Sequence, residues 1–377
     1  MLRRLWLTDF RNHADSAFEF PSGLTVISGG NGEGKTSILE AISYLASLGS
    51  FRAVSNDTLV KVGAPHAVIR AELDVEGREQ LIEAQIVPGA KNRVQVNRQP
   101  LRRARDLLGT VRVVVFAPDD LDVIKGSPGE RRRFLDDALS NLSLKFHTLR
   151  GDLDKVLRQR NTVLKQSGGR ESPEIAATLD VWDLKLAELG EQVAAQRREL
   201  CEQLEPFVVG LYHRLAGAEV AVSLTYRSEW SDVGLAAALH AARSDELKRK
   251  VTLVGPHRDD VEIVLDGLPA RTHASQGEQR TLALAMRLAT QRVIAADTGR
   301  EPIVLLDDVF SELDETRAAA LMSELPASQT ILTTATGTVP AGEVPAATYV
   351  VDAGAIVVDA GPTGGATQPP GGDHDEL

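Results

Sequence analysis

The chain has 377 residues, 43% hydrophobic and 25% charged, which is folded globular material long enough for two domains or one interrupted domain. A formal net charge of -11 argues against coating nucleic acid through bulk charge, and a single cysteine, Cys201, excludes an internal disulfide framework and a cysteine-rich zinc site. No uncharged apolar run reaches membrane-spanning length, and Asp9 and Arg11 interrupt the N-terminus too early for a signal peptide's apolar core, so the expected location is the cytosol.

Strand-like runs open the chain at Leu5 to Phe10, Ala17 to Phe20 and Leu24 to Ile27. The third enters Gly29-Gly30-Asn31-Gly32-Glu33-Gly34-Lys35-Thr36, a complete G-x-x-x-x-G-K-T loop continued by Ser37. Ile38, Leu39, Ile42, Leu45 and Ala46 then recur at helical spacing, which gives the loop its required strand and helix. Glycines let successive N–H groups face phosphates at a helix N-terminus, Lys35 reaches the outer phosphates, and the Thr36 hydroxyl is placed to ligate magnesium. The chain is therefore expected to bind a nucleotide.

Further β-rich runs follow at Ala67 to Val75, Leu81 to Val87, Arg93 to Asn97 and Val111 to Phe116. Lys91, Arg93, Arg98, Arg102, Arg103 and Arg105 fall in one stretch without an acidic residue, and Arg131-Arg132-Arg133 forms a second basic cluster. Phosphate binding and an ordinary solvated face are both open for each cluster. From about Leu121 to roughly Ala216 helical spacing dominates. Leu149, Leu153, Val156 and Val163, then Ile175, Leu179, Trp182, Leu186, Leu189 and Val193, mark two long helices around a polar turn at Gln166 to Arg170. The simplest arrangement is an antiparallel hairpin whose apolar stripe packs inside the molecule, and Cys201 falls in such an apolar pattern.

Strand texture returns at Glu219 to Tyr226 and Val261 to Leu265, where Asp266-Gly267 signals a hairpin. Gly277 to Ala295 reads as a helix, and Ile303 to Leu306 and Ile331 to Thr334 as buried strands, the alternation of a parallel sheet with crossover helices. Residues from Gly361 are too poor in apolar side chains to pack and are expected to form a disordered acidic tail. The strand ending at Leu306 delivers Asp307-Asp308, with Asp307 suited to hold magnesium and Asp308 to orient or deprotonate an attacking water.

About 30 residues earlier stands Ser275-Gln276-Gly277-Glu278-Gln279-Arg280, just before a helix. With Ser311-Glu312-Leu313-Asp314 after the aspartates, this order resembles the signature and D-loop of ABC-type ATPases. That resemblance implies ATP and Mg2+ as ligands. It also implies an ATP-closed homodimer, in which each ATP touches the phosphate loop around Lys35 of one protomer and Ser275, Gln276 and Gly277 of the other.

Further stretches narrow the resemblance: Phe10-Arg11-Asn12, Ser50-Phe51-Arg52, Phe116 to Leu121 with Gly126-Ser127-Pro128 and Arg131 to Asp136, and Gly255-Pro256-His257-Arg258-Asp259-Asp260. Along nearly its whole length the chain resembles the RecF family of DNA replication and repair proteins. The fold implied is an α/β, ABC-type ATPase head with an inserted helical lobe: residues 1–120 and 251–360 forming the head, 121–250 the lobe, and 361–377 the tail. The activity implied is ATP-dependent binding of gapped DNA or a single-strand to double-strand junction with slow, DNA-stimulated hydrolysis. RecO and RecR are the implied partners, with RecA loaded indirectly, and no membrane is involved.

Departures from the transporter pattern are visible. Glu278 stands where a neutral glutamine is usual, Thr333-Thr334 occupies the place of a switch histidine, and no clear Q-loop glutamine follows Phe116. His257 is a candidate substitute for that histidine, although a histidine in a Gly-Pro-His-Arg turn more often has a structural role. An ABC-type transport ATPase subunit is the alternative reading, but roughly 240 residues separate Lys35 from Ser275, where transporters keep these motifs much closer. A zinc-hook ATPase lacks its Cys-x-x-Cys pair here, and a small-substrate P-loop kinase leaves Ser275 unexplained.

Overall fold

The structure is a computed structural model that describes residues 1–52, 54–337, 339 and 344–359; the acidic tail expected from Gly361 lies outside the described residues. In chain order the elements are β1 (Leu2–Phe10), β2 (His13–Glu19), β3 (Gly23–Ser28), α1 (Lys35–Ser47), β4 (Ala67–Val75), β5 (Arg78–Ile86), β6 (Arg93–Val96), β7 (Gln99–Pro100) and β8 (Val113–Phe116). There follow α2 (Asp122–Lys125), α3 (Pro128–Leu142), α4 (Leu144–Gln166), α5 (Pro173–Ala216), β9 (Val222–Arg227), α6 (Leu235–Arg249), β10 (Asp260–Leu265), β11 (Leu268–Pro269), α7 (Ala270–His273) and α8 (Gln276–Thr298). The chain closes with β12 (Ile303–Asp307), α9 (Glu315–Glu324), β13 (Gln329–Thr334), β14 (Ala347–Asp352) and β15 (Ala355–Asp359). These form two compact units, Met1–Pro118 with Ile294–Leu377, and Asp119–Val293.

The first unit holds two six-stranded sheets. One is antiparallel, in the order β2-β1-β4-β5-β6-β7, and the other runs β15-β14-β3-β13-β12-β8 with only β15 antiparallel. In β4 alternate residues Ala67, Ile69, Ala71 and Leu73 are buried, the period-2 pattern of a sheet with one face on a core. Every residue of β12 and β13 is buried, as expected for central parallel strands. Residues of both sheets and of α1 share one hydrophobic core, so α1 is buried on nearly every side. Gln329, buried at the start of β13, joins the sheets by accepting from Leu2 N at 2.8 Å and donating to Leu2 O at 2.7 Å.

In the second unit α4 and α5 form the expected antiparallel hairpin, with Leu164 packed against Leu179 and Arg160 paired with Asp183. Asp266 and Gly267 both take positive φ, 51° and 77°, in the tight turn of the β10–β11 hairpin. Cys201 is buried, and burial pushes its thiol up to about 12, which keeps it unreactive. Residues 251–293, allotted to the head from the sequence, group by contact with this unit, because β10 pairs with β9 and Arg131 clasps Asp260.

Arg160 organises the middle of this unit. Fully buried, it ion-pairs with Asp183 and Glu246, both at 2.6 Å, and donates to Thr252 Oγ1 at 2.9 Å, so α4, α5 and α6 converge on one guanidinium. Removing one partner of a buried ion pair leaves an uncompensated charge and costs about 3–5 kcal/mol. Arg160→Leu is expected to lower stability by that amount in urea denaturation followed through the fluorescence of buried Trp230; a change below about 1 kcal/mol would contradict this role.

Candidate nucleotide site

The site begins with strand register. Thr333 of β13 sits opposite Ile27 of β3 on one side and Asp307 of β12 on the other, so the carboxyl ends of three parallel strands finish side by side. Ligands of such sheets gather at those ends. The loop leaving β3 is thereby held beside Asp307, and Thr36 Oγ1 donates to Asp307 Oδ1 at 2.8 Å across 271 positions of sequence.

Backbone conformation explains the loop's glycines. Gly34 has φ 108°, and a Cβ there would lie 2.7 Å from the Asn12 side chain and 2.8 Å from His13 Nε2. A Cβ on Gly29 would stand 2.2 Å from Val351 O. Lys35 is buried, and its Nζ donates to the carbonyls of Gly29 and Gly30, each at 2.7 Å, which holds the ammonium across the loop. Asn31 and Gly32 remain exposed at its mouth. Glu33 braces the loop instead of facing outward: its carboxylate accepts from Ala353 N, and its carbonyl accepts from Gly354 N at 2.9 Å. His13 supports it from below, with Nε2 3.1 Å from the Gly34 carbonyl. Burial keeps this imidazole below its ordinary pKa, and its Nδ1 lies 3.0 Å from Ser16 Oγ, which donates to the Gly354 carbonyl.

Asp307 accepts a second hydroxyl, from Thr333 Oγ1 at 2.8 Å. Burial pushes its carboxyl above the ordinary range, and the hydroxyls of Thr36 and Thr333 pull it back. Asp308 has φ 51°, a left-handed conformation that aspartate tolerates, and its N–H donates to the Thr333 carbonyl at 3.2 Å. Thr333, noted in the sequence only for replacing a histidine, therefore positions both aspartates.

A cavity of about 610 Å³ opens here, lined by Asn31, Gly32, Gly34, Lys35, Thr36, Ser37, Asp307 and Asp308. Its size suits a nucleotide. Arg11, Asn12, Arg52 and Val60 also line it, which brings the Phe10-Arg11-Asn12 and Ser50-Phe51-Arg52 stretches to the phosphate loop. Arg11 is fixed by a bidentate pair with Glu40 of α1, at 2.7 and 2.8 Å, while Ser50 also donates to Glu40. Arg52 has no ion pair among the described residues.

Ser275, Gln276 and Gly277 belong to the second unit, at the start of α8. Glu278 closes a capping box: its carboxylate accepts from Ser275 N at 2.7 Å, and its own N–H donates to Ser275 Oγ at 3.3 Å. The Ser275 hydroxyl and then its N–H hold the Glu278 carboxyl below its ordinary range. The S-x-x-E spacing was the sequence signal for this role. In the same unit Asp259 accepts from Tyr226 and Trp230, Asp260 pairs with Arg131, and the Pro256 carbonyl accepts from Arg197 at 2.7 Å. His257 is part of this brace, with Nε2 3.2 Å from the Thr252 carbonyl.

These features define a class, the P-loop ATPase head, and the sequence profile of the RecF/RecN/SMC N-terminal domain matches residues 1–351. More narrowly, the chain belongs to the RecF family of DNA replication and repair proteins. It is 42% identical to the RecF protein of Frankia alni over 94% of this chain and 99% of that one, and 42% identical to that of Streptomyces avermitilis over 93% and 98%. A solved structure of the recombination mediator protein RecF with ATP, from the RecFOR pathway, matches with TM-score 0.85 at 28% identity, covering 94% of this chain and 96% of that one. The Smc head domain of Pyrococcus furiosus, at TM-score 0.54 and 18% identity over 94% of each chain, shares the fold.

Burial pushes His257 down to about 4. The unfolded imidazole titrates near 6.5, so the stability linked to this residue is complete above about pH 6.5 and declines as pH falls toward 4, by about 3 kcal/mol in total. His257→Gln is expected to flatten the fall in unfolding free energy between pH 7 and pH 4 by that amount; an unchanged pH slope would contradict the burial of a neutral ring.

Proposed function

We propose that the protein is an ATP-switched DNA-binding protein of recombinational repair and replication-fork maintenance. The observation that carries this reading is the Thr36–Asp307 contact beside the Lys35 loop, inside a cavity of nucleotide size. Backbone N–H groups at the start of α1 and the Lys35 ammonium bind the phosphates of ATP. The Thr36 hydroxyl and the Asp307 carboxylate are hard oxygen donors that fit Mg2+, and among the described residues no cluster of three His, Cys, Asp or Glu offers a complete cage. Bound between these two side chains, such an ion would neutralise charge on the phosphates.

Asp308, held by Thr333, accepts the proton of the attacking water. Arg52 offers a guanidinium to the nucleotide, and Arg11 stiffens the wall through Glu40. Slow hydrolysis then resets a protein whose main output is binding. ATP closes a homodimer in which the partner subunit's Ser275, Gln276 and Gly277 meet the nucleotide. The capping box supports this role by fixing the turn at the start of α8, where Ser275 Oγ accepts from Glu278 N and the Glu278 carboxylate is turned back onto Ser275. The ligand is gapped DNA or a single-strand to double-strand junction. RecO and RecR, the companions named by the RecFOR pathway of the solved relative, are the partners, and RecA is loaded through them. Among the described residues no helix is long and apolar enough to cross a membrane, in keeping with a cytoplasmic role.

Two variants separate nucleotide binding from closure. Lys35→Met is expected to weaken Mg-ATP binding by more than about tenfold through loss of a charge-assisted phosphate contact. Ser275→Arg is expected to bind ATP as the parent does yet stay monomeric in light scattering with Mg-ATP. Dimerisation retained by Ser275→Arg would contradict the composite site.

A further inference from the structure

We infer that Lys91, Arg93, Arg98, Arg102 and Arg103 form a sequence-independent docking surface for the phosphate backbone of duplex DNA, an assignment that rests on the DNA-binding reading above. The structure sorts the two basic clusters apart. In the second cluster the cations are already engaged: Arg131 with Asp260, Arg132 with the Asp259 carbonyl at 2.6 Å, and Arg133 with Glu130 at 2.9 Å. In the first, these five side chains are exposed and have no ion pair among the described residues.

Strand pairing gathers them. β5, β6 and β7 run antiparallel at one edge of their sheet, and Leu101 N donates to Val94 O at 2.8 Å, which lays Arg102 alongside Arg93. Lys91, Arg93, Arg102 and Arg103 line one open groove of about 1000 Å³, too large for a single small anion. The one carboxylate lining it, Glu83, is already taken by Arg70 and by Gln95 Nε2, both at 2.6 Å. The floor is fixed, because Asn92 between two of the cations donates to Tyr44 OH of α1 at 2.9 Å. A positive groove with its acid neutralised, on a chain of net charge -11, selects a polyanion.

The β6–β7 turn is an independent observation. Asn97 and Arg98 take φ 52° and 64°, a tight turn whose second central position favours glycine. An exposed arginine stands there instead, at the tip of the same edge. No aromatic side chain lines the groove, so it lacks the platforms on which the bases of single strands stack. Double-stranded DNA, which presents phosphates and keeps its bases stacked, is the matching form.

The test uses the full chain with Mg-ATP and a labelled blunt duplex, measured by anisotropy across a salt series beside a single strand of the same length. Arg102→Gln with Arg103→Gln is expected to weaken duplex binding and to make the slope of log K against log salt shallower by about two. Arg98→Gly is expected to make it shallower by about one while unfolding at the same temperature as the parent or higher, since glycine suits that turn. Arg133→Gln is expected to leave the slope unchanged, and Mg-ATP binding is expected to match the parent in all three. If the parent binds duplex and the groove variants keep its affinity and slope, or lose only single-strand binding, the docking surface is wrong and the DNA reading stands. If the parent binds no DNA in either form with Mg-ATP, both fall together.

Discussion

Everything at the nucleotide site depends on the parallel register of β3, β13 and β12. The three strands pair continuously, Gln329 to Thr334 against Gly23 to Ser28 and Val304 to Asp307 against Thr330 to Thr333, and close packing of Ile27, Ile331, Leu332, Leu305 and Leu306 on both faces of the sheet holds that register. Once it is fixed, the phosphate loop and Asp307 have no freedom to separate, and the Thr36–Asp307 contact follows. The chain between them includes the whole second unit, inserted between β8 and β12, yet those two strands pair directly. Loop closure becomes only slowly more costly with length, so a folded insertion of this size is compatible with a precise junction.

The chain uses its charges in two ways. In the second unit arginines are buried as fasteners: Arg160 gathers three helices, and Arg197 joins Asp136 of α3 to the Pro256 carbonyl. Such pairs are costly to desolvate, and they specify an arrangement more than they stabilise it. In the first unit Arg11 plays the same part at the cavity wall, where Glu40 is wholly buried beneath it. The cations in and beside β6 and β7 differ in having no acidic partner among the described residues, which leaves their fields available to solvent and ligand.

Much of this was legible in the sequence where partners are close in the chain. The phosphate loop, Asp307-Asp308, the α4–α5 hairpin and the Asp266-Gly267 turn are local patterns, and the structure has each of them. The capping box of Ser275 and Glu278 was equally local, but beside a signature motif its glutamate read as a substitution and not as a helix start. Thr333 was hidden because its partners, Asp307 and Asp308, lie more than twenty residues away and meet it only through sheet register. The pairing of Arg11 with Glu40 was hidden for the same reason, as was the contact grouping of residues 251–293 with the helical unit. Burial and pairing of charged groups are tertiary facts, and a run of arginines carries no sign of which will be engaged.

The central claim is that nucleotide bound over Lys35, Thr36 and Asp307 governs DNA binding. Its most direct test is the anisotropy of a labelled gapped duplex titrated with the protein, with and without Mg-ATP, at one fixed near-physiological salt concentration, because phosphate contacts weaken steeply with salt. Tight binding that requires Mg-ATP is the expected result. Equal binding in its presence and absence would contradict the claim, since a ligand that does not change the affinity of a second ligand is not coupled to it.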